Sequence, residues 1–151
     1  MNGDLQGLDP TATILLVEDD PTDTILIRRA LARAGIMNHL QVVADGDAAV
    51  AYLAGDPPYE RAKNPLPSLV LLDLKLPRRS GLEVLEWMRQ QPGLRRVPVI
   101  VLTSSSEHQD VRVAYDHGAC GYLVKPSSFA KLIEVMESVR SYWIARNVYP
   151  S

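Results

Sequence analysis

Cysteine is nearly absent from the chain. Cys120 is the only one, so no intramolecular disulfide can form and no cysteine-rich zinc site can be built. The surroundings of Cys120 read as core, and a single thiol fits a reducing compartment, for which the cytoplasm is the expectation. Histidine is also scarce: His39, His108 and His117 show no metal-ligand spacing. Charge of one sign is missing as well. The formal net charge is only -2, which gives no general attraction to nucleic acid or to an anionic membrane surface. No apolar run approaches the roughly 18 residues that a membrane helix requires, and the opening MNGDLQGLDP lacks the basic and apolar regions of a secretory signal. A nucleic-acid or membrane partner is therefore not expected. What remains is a globular composition, with 46% hydrophobic and 23% charged residues in 151, enough for one core and one domain.

Short apolar runs alternate with longer amphipathic segments. Ile14–Val17 stops at Glu18, Asp19 and Asp20, which predicts a buried strand with acids at its C-terminal end. Asp20 reads as a helix N-cap before Pro21 and Asp23, and Ile27, Ala30, Leu31 and Ala34 form the apolar stripe that Gly35 closes. A second strand over Leu40–Ala44 leads through Asp45 and Gly46 into a short helix ended by Gly55. Residues 55–68 carry four prolines and read as a surface loop. Three more runs follow: Leu69–Leu72, ending at Asp73; Pro98–Leu102, ending at Thr103; and Cys120–Val124, ending at Lys125. Helices are expected after each, over 107–117 for the fourth, with Ser127 or Ser128 capping the last. Continuous rather than alternating apolar strands imply a sheet covered on both faces. The expected fold is α/β, a flavodoxin-like doubly wound five-stranded parallel sheet, (βα)5. The domain is placed at 13–146, with tails at 1–12 and 147–151.

Ligands of such sheets bind beyond the carboxyl ends of the strands. There the sequence sets Glu18 and Asp19, Asp73, Thr103 and Lys125. Clustered carboxylates repel one another unless a cation sits among them, and an all-oxygen donor set without histidine or thiolate favours Mg²⁺. With that charge neutralised, one carboxylate can act as a nucleophile toward phosphorus while an ammonium and a hydroxyl hold phosphoryl oxygens. The chemistry indicated is phosphoryl transfer.

The motifs LLVEDD, LLDLKLPRRSG, VLTS and YLVKP, in this order, resemble the receiver domain of bacterial response regulators over about residues 13–143. Thr103 and Lys125 follow Asp73 at separations typical of that family. The resemblance implies that Asp73 is the phosphoacceptor, that Thr103 and Lys125 assist the transfer, and that Glu18, Asp19, Asp73 and the backbone carbonyl of Lys75 hold Mg²⁺. It also implies a switch in which Thr103 moves inward and Tyr122 rotates, and a cis Lys125–Pro126 bond that aims Lys125 into the site. The expected phosphoryl donor is a sensor histidine kinase docking over Asp73 through the first helix, with Asp23 and Leu26 exposed, and through the Lys125–Ser127 turn. Catalysis is expected only of the chain's own phosphorylation and dephosphorylation.

Lys75 and Ser105 occupy positions that vary among receivers and tune phosphate loss; here they predict slow autodephosphorylation. After Lys125 the sequence offers one helix and a short tail, so a separate output domain is not expected and the signal should leave through a protein surface. Phe129, Leu132, Ile133, Met136, Val139 and Trp143 recur at intervals of three and four as the core stripe of the last helix, whereas Val135 and Tyr142 lie on a different stripe, and Trp143, Ile144, Val148 and Tyr149 make its end unusually apolar, which invites a partner. With the proline-rich loop, this end looks similar to single-domain receivers paired with phytochrome-type histidine kinases. A homodimer through the fourth helix, fifth strand and fifth helix is expected. Other classes fit less well. A haloacid-dehalogenase-type phosphatase needs a second carboxylate where Lys75 stands, and an FMN module needs a phosphate loop where the acidic EDDPTD lies. A scaffold that works without phosphorylation stays open.

Overall fold

The computed structural model describes residues 12–147, with side chains described through Trp143. Five strands alternate with five helices: β1 Thr13–Val17, α1 Pro21–Arg33, β2 His39–Val43, α2 Gly46–Ala54, β3 Leu69–Leu72, α3 Gly81–Gln90, β4 Val99–Thr103, α4 His108–Asp116, β5 Gly121–Val124 and α5 Phe129–Asn147. The strands form one parallel sheet in the order β2-β1-β3-β4-β5. This is the flavodoxin-like arrangement, in which the order of strand addition reverses between β1 and β3.

The sheet separates two apolar cores. Alternate residues of the inner strands point to opposite faces, so Leu15, Val17, Val70, Leu72, Val99 and Val101 pack under α2, α3 and α4. Ile14, Leu16, Leu69, Leu71, Ile100 and Leu102 pack under α1 and α5 instead. Every residue of β1, β3 and β4 is buried. The edge strands depart from the expectation of continuous burial, since β2 is mostly half-buried and Val124 of β5 is 43% exposed. An edge strand has a neighbour on one side only, and the helices do not reach across it.

Local signals act as the sequence suggested. Asp20 accepts hydrogen bonds from the Thr22 and Asp23 amides, Asp45 caps α2, and Gly35, Gly55 and Gly118 take the positive φ that ends each preceding helix. Ser128 rather than Ser127 caps α5, accepting from the Lys131 amide. Ser80 and Glu83 form a capping box at α3 that the sequence reading had not singled out. In the loop at 55–68, Arg61 donates to the carbonyls of Tyr52 and Leu53 and so caps the end of α2.

Three expectations are corrected. Pro98 and Cys120 lie just outside their strands. The cis peptide bond among the described residues is Pro57–Pro58, and Lys125–Pro126 is trans. Trp143 keeps its expected place on the core stripe and is therefore not free for a partner: it is 2% exposed and packs with Met136 and Val139 in the core under α5. The helical stripe that carries these three residues is one continuous face, which turns the tryptophan inward. The side chain of Ile144, and Val148 and Tyr149 altogether, lie outside what the structure describes.

Candidate phosphoacceptor site

Register brings the polar residues together. Val17 pairs with Leu72 across β1 and β3, so the residues that follow, Glu18 and Asp73, leave the sheet side by side. The amide of Asp73 donates to the Val17 carbonyl at 3.1 Å, and the amide of Lys125 donates to the Thr103 carbonyl at 2.8 Å. Each strand thus continues its ladder by one bond past its last residue and releases its functional side chain at the same rim.

At that rim the Lys125 ammonium lies 2.6 Å from Glu18 Oε1, 3.0 Å from Asp73 Oδ2 and 3.1 Å from Asp23 Oδ2. It reaches them with a trans peptide bond to Pro126. Glu18 is 2% exposed and Asp73 7%. Burial holds the Glu18 carboxyl above its ordinary value, outweighing the hydrogen bonds from Lys125 and from the Asp20 amide. Burial also pulls on Lys125, but its bonds to Glu18, Asp73 and Asp23 win and push it upward, so the ammonium stays charged.

Glu18, Asp19 and Asp73 each present a carboxylate oxygen within 4.8 Å of the others. Asp19 is exposed at the mouth of the site. Oxygen-only donors at this spacing fit a hard divalent cation, which tolerates few protein ligands and completes its shell with water. Asp73 Oδ1 also accepts from the Lys75 amide at 3.3 Å. The loop that follows folds back tightly: Gly81 donates to the Leu74 carbonyl, and a Cβ at Gly81 would sit 2.1 Å from the carbonyl oxygen of Asp73. Arg79 pairs with Asp47 at 3.1 Å, fastening the same loop to the start of α2.

Thr103 is fully buried, and its hydroxyl finds no hydrogen-bond partner in the protein. Tyr122 is half-buried and donates its hydroxyl to the Ser105 carbonyl at 2.8 Å. Ser105 in turn donates to Asp110 of α4 at 2.5 Å. The Ser105–Asp110 contact has no signal in the sequence, and Asp23 and Leu26 depart from the exposure expected of docking residues. Both are half-buried. Asp23 faces Lys125, and the exposed apolar side chain of α1 is Ile25, at 52%. An acid in the first turn of a helix carried no signal that it would meet a lysine distant in sequence.

The comparisons agree with this geometry. Residues 14–137 match the response regulator receiver domain family. The chain is 37% identical over 143 residues to the response regulator Rcp1 of Synechocystis, covering 95% of this chain and 96% of the relative. It is 39% identical over 149 residues to a probable methanogenesis regulatory protein, FilR2, of Methanothrix harundinacea, covering 99% and 94%. Among solved structures it resembles the phosphorylated cyanobacterial phytochrome response regulator RcpA, with TM-score 0.84 and 35% identity over 93% of this chain and 99% of that one. The Mn²⁺-bound form of Rcp1 aligns with TM-score 0.82 and 36% identity over the same shares. Family match, strand order and a rim of acids around one lysine agree, and the chain belongs to the response regulator receiver family.

Proposed function

We propose that the chain is a stand-alone response regulator that accepts a phosphoryl group on Asp73 from a sensor histidine kinase in a Mg²⁺-dependent reaction. The observation that carries this reading is the ammonium of Lys125 at 3.0 Å from Asp73 Oδ2, inside a ring of carboxylates suited to a divalent cation. A carboxylate oxygen of Asp73 forms the new O–P bond as the P–N bond of the phosphohistidine breaks. Lys125 supplies positive charge to the phosphoryl oxygens, and the unpartnered hydroxyl of Thr103 supplies a donor. Mg²⁺ held by Glu18, Asp19, Asp73 and the Lys75 carbonyl would neutralise the charge that the acids and the incoming group share. The reaction is confined to the chain's own acceptor, so the protein is not an enzyme toward other substrates.

Output follows from the Thr103 side of the site. Drawing Thr103 toward a phosphorylated Asp73 displaces Ser105, to which both Tyr122 and Asp110 are bonded, and so alters the surface of α4 and β5. Exposed Tyr115 and Val124 lie on α4 and β5, and together with α5 they offer a face for a homodimer. Half-buried Val135 and Tyr142 belong to α5, which covers the other face of the sheet from α4. The whole chain is read as one receiver domain that signals in the cytoplasm through protein contacts. Among the described residues no helix is long and apolar enough to cross a membrane. Likeness to a phytochrome response regulator favours a phytochrome-type kinase as the donor. Ser105, whose hydroxyl is engaged by Asp110, and Lys75, whose side chain is exposed, leave an attacking water poorly positioned, and the acyl phosphate should be long-lived.

Incubation with Mg²⁺ and acetyl phosphate tests the reading. Intact-mass spectrometry should show one added phosphoryl group on the natural chain and none on Asp73→Asn, and sedimentation should show the dimer fraction rising with modification. An equal mass gain in Asp73→Asn removes the acceptor assignment, and a chain that stays monomeric when phosphorylated removes the dimer.

A further inference from the structure

A lysine ammonium has three N–H donors, and in Lys125 all three are taken by carboxylates: Glu18, Asp73 and Asp23. The three acids do not have equal freedom. Glu18 and Asp73 also belong to the cation-suited triad, and Asp73 loses a free carboxylate oxygen when it is esterified by phosphate. Asp23 has neither duty. It stands in the first turn of α1, where its own amide is bonded to the Asp20 side chain at 3.3 Å, so the helix cap fixes the backbone from which the carboxylate reaches Lys125. Lys125, by contrast, reaches the site on a flexible stem from the end of an edge strand with one exposed flank. When Glu18 and Asp73 turn to other ligands, Asp23 is the partner that keeps the ammonium at the rim.

We infer that Asp23 is a positioning residue for phosphoryl transfer, holding the Lys125 ammonium aimed at Asp73. The inference rests on the reading of Asp73 as acceptor. The ordinary alternative is that Asp23 only complements the positive end of the α1 dipole or touches the kinase. These roles separate cleanly, because only a positioning residue acts through Lys125.

The experiment uses the full chain, acetyl phosphate as donor and saturating Mg²⁺, so that no kinase surface is involved. Asp23→Ala is expected to slow phosphorylation about tenfold, the loss of one charge-assisted hydrogen bond that is partly open to solvent. Asp23→Glu, which still offers Lys125 a carboxylate, should regain most of the rate. In a Lys125→Ala background, adding Asp23→Ala should change the remaining rate by less than about twofold. A second readout needs no phosphorylation: with saturating Mg²⁺ to engage Glu18 and Asp73, the hydrogen-bonded ammonium of Lys125 should give an observable ¹H–¹⁵N signal that disappears in Asp23→Ala. Three results overturn the inference: a rate for Asp23→Ala equal to or above that of the natural chain, equal slowing in both backgrounds, or an ammonium signal that survives the substitution. If the natural chain itself gains no phosphate, the acceptor reading fails, and the ammonium signal still decides the role of Asp23.

Discussion

Replacing Lys125 with methionine keeps most of the apolar stem and removes the charge, leaving Glu18, Asp23 and Asp73 facing one another without a counter-ion. Breaking a buried ion pair by deleting one partner costs about 3 to 5 kcal/mol. The lower end applies here, because the Asp23 side chain is 35% exposed and its share is screened by water. A loss of about 3 kcal/mol in a chain of this size lowers the melting temperature by about 10 °C. The deficit also has a pH signature. Burial already holds the Glu18 carboxyl above its ordinary 4.5, and without Lys125 it rises further, so the folded state keeps that proton more tightly than the unfolded state. Stability tied to that proton is fully present below the unfolded value and is lost as pH rises toward the folded value. The Lys125→Met deficit should therefore be small near pH 4.5 and grow toward neutrality. Thermal denaturation of both proteins across that range in the absence of divalent cations checks it. A variant that melts with the natural chain at pH 7.5, or a deficit that does not vary with pH, refutes the reasoning.

Gly81→Ala should be far more damaging than an ordinary helix substitution, because its Cβ would lie 2.1 Å from the Asp73 carbonyl oxygen and 2.7 Å from Leu74 Cα. Both neighbours are backbone, so the acceptor loop must move, at about 3 kcal/mol by urea denaturation and with a loss of phosphorylation; near-normal values of both would count against the tight loop. His117 bonds the Val113 carbonyl and Glu86, and these contacts raise its pKa above 6.5. The stability it adds is present below 6.5 and fades as pH rises through the folded value, so His117→Gln should cost about 0.5 kcal/mol at pH 5.5 and nothing measurable at pH 9. A cost that persists at pH 9 would place the contribution elsewhere.

Much of this was legible in the sequence because the inner strands are apolar on both faces. A strand such as Leu69–Leu72 has no exposed side, so the first polar residue, Asp73, marks both its end and the rim of the sheet. The same reasoning placed Glu18 and Thr103. It served the edges less well, where Val124 is exposed and Cys120 falls outside β5, since apolar content there no longer reports burial. The helix cap at Asp20 was readable because the bond runs between near neighbours. The role of Asp23 was not, because its partner lies 102 positions away and only the strand order brings them together. Trp143 was legible as core from its three- and four-residue spacing with Leu132, Met136 and Val139, and the packing of α5 on the sheet bears out that reading over its place at an apolar helix end.

The position of Thr103 gives the proposed switch a physical cause. A buried hydroxyl without a protein partner is costly, so an oxygen acceptor arriving at Asp73 would gain that donor for more than a solvent-exposed bond would return. Thr103 sits on β4, whose other residues are closely packed, and its carbonyl already holds the amide of Lys125. The strand therefore has little room to respond except at its free end. That end is Ser104 and Ser105, and Ser105 is tied by its carbonyl to Tyr122 and by its hydroxyl to Asp110. α4 buries only Ala114 among its described positions, so it resists displacement less than the other helices do. On this reading a shift of the threonine at the rim is carried outward by two named hydrogen bonds to the most weakly seated helix of the domain, and its surface is where a partner would sense phosphorylation.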